Sequence, residues 1–573
     1  MRAPSHPASP GEGTSAAGRE APPRAGWAQP LLILVVVILG YGIAPGRLPL
    51  IGEEATRAQH GIEMAASGDW LIPTVQGVAI IDRPPLQYWL LALVHRFVHP
   101  LDPLTLRMTM LVLTFLTGLT VWLYARRIFA PAGALVAGLA YPTMGHVFDL
   151  GRRVETDGLF TLLTAGALLV WHHGYRERWP PAATWAAGCG VAALATLTKG
   201  TQGPIVFYGT VGLFLVLRGE WRSLLGRAHA CGLSLLAGLV AVWLVPFQLR
   251  AGRDGARMTW IDPFTRRVDS DPLQLVRQLV GFPFEILVAC LPWSVLLLGL
   301  LHRNLWRARD ELRSSLVFVL LGIFVIFAPV WISADGKPRY AMPLYPLVAV
   351  ACGAVADRCR ERDAPAGLRR LWRGTLAGTA GLLALGSLGL AAVRLSGAPG
   401  ASEALARLRQ PWWLIALLFG ASSAVVILAC RRRVRARSPR VAIEAVALAV
   451  VVAIAFGGPV LDASAWNTDR LEQEMAELRR RLPPEARLVS FGRLHRKFVY
   501  WYAEPIPILA DEQRSRPPAD LEYFAIDVEG GAPAALSFPF EELARLDMDP
   551  KREPSVHVLV GRRLPAAGVP RRD

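Results

Sequence analysis

The sequence predicts an all-α polytopic membrane protein with a small soluble α/β domain at its C-terminal end. Three observations carry that prediction. The 573 residues are 53% hydrophobic and only 19% charged, with a mean hydropathy of +0.34, whereas soluble domains carry about 25% charged residues. Apolar runs of roughly 18 or more residues alternate with short arginine-rich clusters, the pattern of helices that thread a bilayer repeatedly. Beyond residue 460 the long apolar runs stop, and a charged helical stretch is followed by short strand-like runs.

In chain order, residues 1–26 are rich in Pro, Gly, Ala and Ser and read as a disordered cytoplasmic N-terminus. The run Leu31 to Ile43 lacks a clear Ala-x-Ala cleavage site and precedes many further runs, so it reads as a first anchor. Thirteen spans are expected, at 28–45, 104–125, 131–149, 158–174, 182–198, 202–217, 229–249, 284–302, 314–332, 340–356, 374–393, 411–430 and 441–460. Residues 27–460 are thus the membrane domain. With the N-terminus in the cytoplasm, every cytoplasmic loop is basic: Arg126-Arg127, Arg176 and Arg178, Arg218 to Arg227, Arg303 to Arg313, Arg358 to Arg373, and Arg431 to Arg440. That bias sets the orientation. It also accounts for the net charge of +17 without a nucleic-acid partner. Segment 86–98 is apolar but short, and a crossing there would invert every later loop. It is expected to be an interfacial or re-entrant helix with Tyr88 and Trp89 at headgroup depth.

Thirteen crossings place residues 461–573 outside the cytoplasm, on the same side as loop 46–103. A helix is expected over Thr468 to Arg481, and strands over Arg487 to Phe491, Ile506 to Leu509, Tyr523 to Val528 and Val556 to Val560. Together they make a soluble α/β domain near the minimum size that holds its own core. The six cysteines form no metal or disulfide pattern. No P-loop or Rossmann glycine pattern and no internal repeat is present.

Loop 46–103 holds the most distinctive stretch: Glu53-Glu54-Ala55-Thr56, Ser67-Gly68-Asp69-Trp70, and Asp82-Arg83-Pro84-Pro85-Leu86-Gln87-Tyr88-Trp89. Further along come Arg153-Val154-Glu155-Thr156-Asp157, Leu197-Thr198-Lys199-Gly200, Leu291-Pro292-Trp293-Ser294 and Lys337-Pro338-Arg339-Tyr340 with Pro343 and Pro346. In this order the motifs resemble those of the GT-C superfamily, glycosyltransferase family 39. That group includes the bacterial lipid A aminoarabinose transferases (ArnT) and relatives of protein O-mannosyltransferases. The family pattern is approximately Asp-Glu-x-Arg-Tyr, Ser-Gly-Asp-Trp, Glu-Lys-Pro-Pro-Leu-x-Tyr-Trp, Leu-Thr-Lys-Gly, Leu-Pro-Trp-Ser and Lys-x-x-Tyr-x-x-Pro-x-x-Pro. This chain departs from it. Glu53 stands for Asp, Thr56 for the Arg in an ungapped reading, and Asp82-Arg83 for Glu-Lys. Arg at a phosphate offers a fork where Lys offers a point charge.

The resemblance implies transfer of a sugar, with inversion, from a polyprenyl-phosphate donor to a lipid, glycan or protein acceptor on the outer face of a bacterial cytoplasmic membrane. Such a transfer needs a base for the acceptor hydroxyl and stabilisation of the departing phosphate. By resemblance Glu53 is the base and Asp157 the second acidic residue, for acceptor positioning or a metal. Glu54, Asp82, Arg83, Lys199, Lys337, Arg339 and Tyr340 are the substrate-binding candidates. A divalent ion, with Asp82 as a ligand, is implied by family analogy alone. Plainer roles compete. Glu53 is also a good helix-start carboxylate, Asp82-Arg83-Pro-Pro is good turn chemistry, and Lys199 could snorkel at a span end. Tyr88, Trp89, Trp293 and Tyr340 read as interface anchors rather than sugar contacts, and His146 as a packed histidine. The alternative reading is a transporter or flippase of lipid-linked sugars, which would carry its charges at mid-membrane within broken helices.

Overall fold

A computed structural model describes residues 27–42, 45–47, 50–80, 83–260, 272–307, 310–334, 336–360, 364–397, 405, 410–431, 440–455, 469–510, 513, 516–529, 536–548 and 555–565. The N-terminal segment 1–26 and Asp82 lie outside the described residues.

The helices are α1 Ala28–Tyr41, α2 Glu54–Ser67, α3 Leu86–Phe97, α4 Pro103–Ala125, α5 Pro131–Ala140, α6 Gly145–Leu150, α7 Thr156–Arg176, α8 Pro181–Lys199, α9 Gln202–Leu217, α10 Arg227–Trp260 and α11 Pro272–Ala289. After a single turn at Arg303–Trp306 come α12 Asp310–Trp331, α13 Tyr345–Arg360, α14 Ala366–Leu395, α15 Trp412–Arg431, α16 Arg440–Ala455, α17 Asp469–Arg481 and α18 Arg496–Tyr502. Each of the thirteen apolar runs is helical, but the runs are not uniform spans. Among the described residues six helices are long and apolar enough to cross a membrane, or seven if one bent pair counts as a span, and α1 and α9 are shorter apolar helices. The chain is a multi-pass membrane protein. The bent pair is the run expected at 284–302, where Leu273–Ala289 and Trp293–Leu301 meet at 113°. Pro292 at the corner has no N–H to continue the helical ladder. The run expected at 131–149 is likewise broken, by a 3₁₀ turn at Tyr141–Thr143.

The two ends of the bundle differ chemically. At one end the arginine loops meet: Arg176 Nη2 donates to the Arg127 carbonyl at 2.5 Å, and the Tyr175 hydroxyl donates to Glu220 at 2.8 Å. Arg107 begins α4, Asp157 begins α7, and Lys199 ends α8, so all three lie at the other end. At 1.5 Å per residue, Asp157 and Arg176 are about 28 Å apart along α7, close to the hydrocarbon thickness of a bilayer.

Short helix α3, at twelve residues, packs on α2 as a helical hairpin over the site end. The packing is close because Gly61 of α2 has no side chain. A Cβ there would lie 2.8 Å from Leu91 Cβ and 3.1 Å from the Ala92 nitrogen. Tyr88 is a correction to the expected interface anchor: it is fully buried inside the protein. Trp293 is corrected likewise, being buried with its indole N–H on the Thr143 hydroxyl at 2.8 Å.

The C-terminal domain is a five-stranded sheet, order β4-β3-β5-β7-β6. Its strands are β3 Leu488–Phe491, β4 Ile508–Leu509, β5 Tyr523–Glu529, β6 Phe540–Asp547 and β7 Val556–Arg563; β1 Thr74–Val75 and β2 Val78–Ala79 form a separate hairpin. Strand β3 runs parallel to both neighbours, whereas β5–β7 and β6–β7 are antiparallel. Met475 and Leu478 of α17 bury against one sheet face with Leu488, Tyr523, Val558 and Val560. Four strands and the helix stand where the sequence places them. Strand β6 is additional. The domain is fastened to loop 46–103 at the β1–β2 turn. There Gln76, at φ 53, accepts from the Leu494 N–H at 2.9 Å and donates to Ser490 Oγ at 3.2 Å. The Tyr500 hydroxyl adds a bond to the Leu101 carbonyl at 2.8 Å.

Candidate active site

The first turn of α2 sets the site. Glu53 is the residue before the helix, and its N–H-rich start favours a carboxylate. Glu54 is wholly buried and clamps three segments together. It accepts from the Ile51 N–H at 2.7 Å, the Val154 N–H at 2.7 Å, Arg107 Nη2 at 3.1 Å and also Arg107 Nη1. The expected substrate contact of Glu54 is therefore replaced by a positioning role, because its oxygens are already engaged by protein donors. One turn later comes Arg57, 2% exposed, donating to the Tyr88 hydroxyl at 2.5 Å. The ungapped reading puts Thr56 at the family's Arg position, and an arginine, Arg57, follows it. Arg57 was missed although a one-residue slip along the helix would have found it.

From α7 and α8 comes a buried ion pair, Asp157 Oδ1 to Lys199 Nζ at 2.5 Å. Around it stand the other candidates. Arg83 Nη1 reaches the Thr156 hydroxyl at 3.3 Å, and Arg83 and Arg339 both act on Asp157 electrostatically. Lys199 Nζ lies 5.5 Å from the centre of the Tyr340 ring, and the Arg339 guanidinium 5.1 Å from it. Tyr340 is thus part of the cluster rather than an interface anchor. Arg339 Nη1 is 4.0 Å from Glu155, the residue before α7. The fold brings Arg83, Asp157, Lys199, Arg339 and Tyr340 together from four separate stretches of chain.

Glu53 is half-exposed and faces the C-terminal domain. Its Oε1 pairs with Arg496 at 2.7 Å and its Oε2 accepts from the Thr56 hydroxyl at 3.2 Å. Lys337 is exposed just before the Pro338 turn and, among the described residues, makes no side-chain hydrogen bond or ion pair. An apolar cavity of about 770 Å³ is lined by Phe148, Val288, Leu291, Leu382 and Phe419, with His146, Asp149 and Glu285 among its polar residues and Pro338, next to Arg339, at its edge. His146 is packed as expected, its Nδ1 on the Tyr345 hydroxyl at 2.9 Å. Among the described residues no group of three or more His, Cys, Asp or Glu is placed to hold a metal ion. Asp157, Glu54 and Glu53 each pair with a cation, and Asp82, the ligand that the resemblance implies, lies outside the described residues; no step below uses a metal ion.

Residues 82–246 match the family model described as dolichyl-phosphate-mannose-protein mannosyltransferase. The crystal structure of ArnT from Cupriavidus metallidurans bound to undecaprenyl phosphate superposes with a TM-score of 0.71 at 18% identity, covering 92% of this chain and 97% of that one. This chain has the GT-C fold. By sequence, the undecaprenyl phosphate-alpha-4-amino-4-deoxy-L-arabinose arabinosyl transferase of Edwardsiella ictaluri is 27% identical over 342 residues, 58% of this chain and 60% of that protein. The enzyme of the same name from Pseudomonas aeruginosa PAO1 is 28% identical over 319 residues, 54% of this chain and 56% of that protein. An uncharacterized Aquifex aeolicus protein is 28% identical over 325 residues, 56% and 61% of the two chains. The match thus spans about three-fifths of the length of these curated relatives. The resemblance to the GT-C glycosyltransferases read from the motifs stands, and the GT-C fold supplies the frame on which the cluster is built.

Proposed function

We propose that the chain transfers a sugar from a polyprenyl phosphate to a lipid, glycan or protein acceptor, at the membrane face that the arginine bias assigns to the outside of the cytoplasm. The observation that carries this reading is the cation cluster of Arg83, Lys199 and Arg339, with an apolar cavity whose lining includes Pro338, the residue before Arg339. A polyprenyl phosphate is an apolar chain ending in an anion. The cavity suits the chain, and the cluster suits the phosphate. As the sugar leaves, charge builds on the phosphate, so cations fixed there stabilise the transition state more than the ground state. Lys199 is oriented by Asp157, and Arg339 by the Tyr340 hydroxyl at 3.4 Å. Glu53 is the acid–base residue nominated by the resemblance. Its half-exposed carboxylate, paired with Arg496 of the C-terminal domain, is consistent with an acceptor reaching it from the soluble side. Two of the three relatives named above are arabinosyl transferases, which supports a sugar-transfer reading over a flippase.

The test is turnover by the full-length protein in proteoliposomes supplied with undecaprenyl-phosphate-linked sugar and an envelope extract. Release of undecaprenyl phosphate is followed by mass spectrometry. Glu53→Gln keeps size and hydrogen bonding but removes the base, and should lower turnover about 10²–10⁴-fold. Translocation of the intact lipid without release of undecaprenyl phosphate would establish the flippase instead.

A further inference from the structure

Glu155 is the carboxylate that the reaction above leaves without a task. Its side chain is about nine-tenths buried, at 10% exposure, yet among the described residues it has no hydrogen bond and its one ion-pair contact is Arg339 Nη1 at 4.0 Å. Opposite it stands Gly52, at φ +60, where a Cβ would lie 3.4 Å from Glu155 Oε1. The absence of a side chain at Gly52 keeps that oxygen approachable. Burial pushes the carboxyl above its usual range; Arg57 opposes this, Asp157 adds to it, Arg339 opposes it and Glu54 adds to it. The site thus contains a carboxylate that keeps some contact with solvent and that no described donor occupies, 4.0 Å from Arg339.

A phosphate is repelled by this carboxylate, and an ammonium by Arg57, Arg83, Arg339 and Lys199. A neutral donor group remains. When the phosphate sits on Arg339, the nearest neutral donor of a sugar phosphate is the hydroxyl on the carbon next to the anomeric centre. We propose that Glu155 grips the donor sugar by accepting a hydrogen bond from that hydroxyl, an inference that rests on the polyprenyl-phosphate reading. In glycosyl chemistry a bond at this position strengthens as positive charge grows on the ring. Glu155 would therefore set which sugars are accepted, apart from any role in proton transfer.

The test is binding, which needs no acceptor. Full-length protein in lipid nanodiscs is titrated with undecaprenyl phosphate, with its 4-amino-4-deoxy-L-arabinose and mannose conjugates, and with a conjugate lacking the hydroxyl beside the anomeric carbon. Wild type should bind a sugar-bearing lipid more tightly than the bare phosphate. Glu155→Gln and Glu155→Asp should each weaken that lipid roughly tenfold or more, leave undecaprenyl phosphate unchanged or tighter, and leave the deoxy conjugate unchanged. Equal weakening of all lipids would make Glu155 a structural support and overturn the proposal. So would no change in any, or a wild type that binds bare and sugar-bearing lipids alike. Failure of undecaprenyl phosphate itself to bind would overturn the donor reading and this inference with it.

Discussion

Removing the guanidinium from Arg107 gives the sharpest test of how the site is held. Glu54 is at 0% exposure and its partner side chain at 3%. The carboxylate takes both arms of the guanidinium and two backbone N–H groups. Arg107 also donates to the Arg152 carbonyl at 2.7 Å. Arg107→Met preserves much of the side-chain volume but leaves a carboxylate buried with half of its donors gone. Breaking a buried pair on one side costs about 3–5 kcal/mol, whereas removing both charges is often close to neutral. The double variant Arg107→Met with Glu54→Gln should therefore recover a large part of the loss. Unfolding of a membrane protein of this size is read as a rate, so the assay is the half-life of the detergent-solubilised protein at fixed temperature, with Arg153→Met as control. That control removes a pair, Arg153–Asp149, whose side chains are 32% and 36% exposed, and such pairs are worth about 0–1 kcal/mol. If Arg107→Met decays no faster than the Arg153 control, Glu54 is not the clamp described above, and its carboxylate is available to substrate after all.

Further outcomes follow from the same geometry. Asp527 in β5 accepts from the His495 N–H at 3.0 Å, and burial raises its carboxyl to about 6 against that bond. The folded carboxyl holds its proton more tightly than the unfolded one, so the destabilisation is absent below about pH 4, grows to pH 6 and is full above it, at about 3 kcal/mol. Asp527→Asn keeps the acceptor and should slow hydrogen exchange of β5 amides in the full-length protein at pH 8 but not at pH 4; an equal effect at both would refute the assignment. Gly61→Ala forces α2 from α3 and should cost about 1–3 kcal/mol, read as a shorter half-life at fixed temperature with activity lost in proportion. Arg83→Ala should lower turnover strongly and Arg83→Lys recover part of it, since a point charge keeps the attraction and loses the fork; unaltered turnover in the alanine variant would remove Arg83 from the phosphate site.

Much of this molecule was legible in its residues, for reasons that differ by region. Apolar length reports a bilayer directly, so helices stand at all thirteen runs. What that signal cannot carry is direction within a run, and the 113° corner at Leu291-Pro292-Trp293 was read as a straight span. Strand β6, Phe-Glu-Glu-Leu-Ala-Arg-Leu-Asp, has the composition of a helix. It is a strand because β7 offers it an edge, and its register slips at Glu542/Ala544. In the site, charged residue types in family order pointed to Arg83, Asp157, Lys199 and Arg339. Burial was not legible. Glu53 and Glu54 are adjacent in sequence, yet the start of α2 turns one to the mouth and the other onto Arg107. Arg57 and Glu155 were hidden for the same reason, being ordinary charges in sequence and extraordinary only once a fold has closed around them.

The fastening of Gln76 to the C-terminal domain has a consequence in time. Gln76 and Leu494 are separated by 418 residues. At synthesis rates of about 5–20 residues per second, that is roughly 20–80 s between the birth of one partner and the other. Throughout that interval nearly the whole helical bundle has been made while the mouth of the site has no roof. Glu53 has no Arg496, and the β1–β2 turn has nothing to hold. The residues after 460, about a fifth of the chain, carry no further long apolar run, but they finish the edge of the site on which loop 46–103 depends. A nascent chain is in this sense a furnace built before its door.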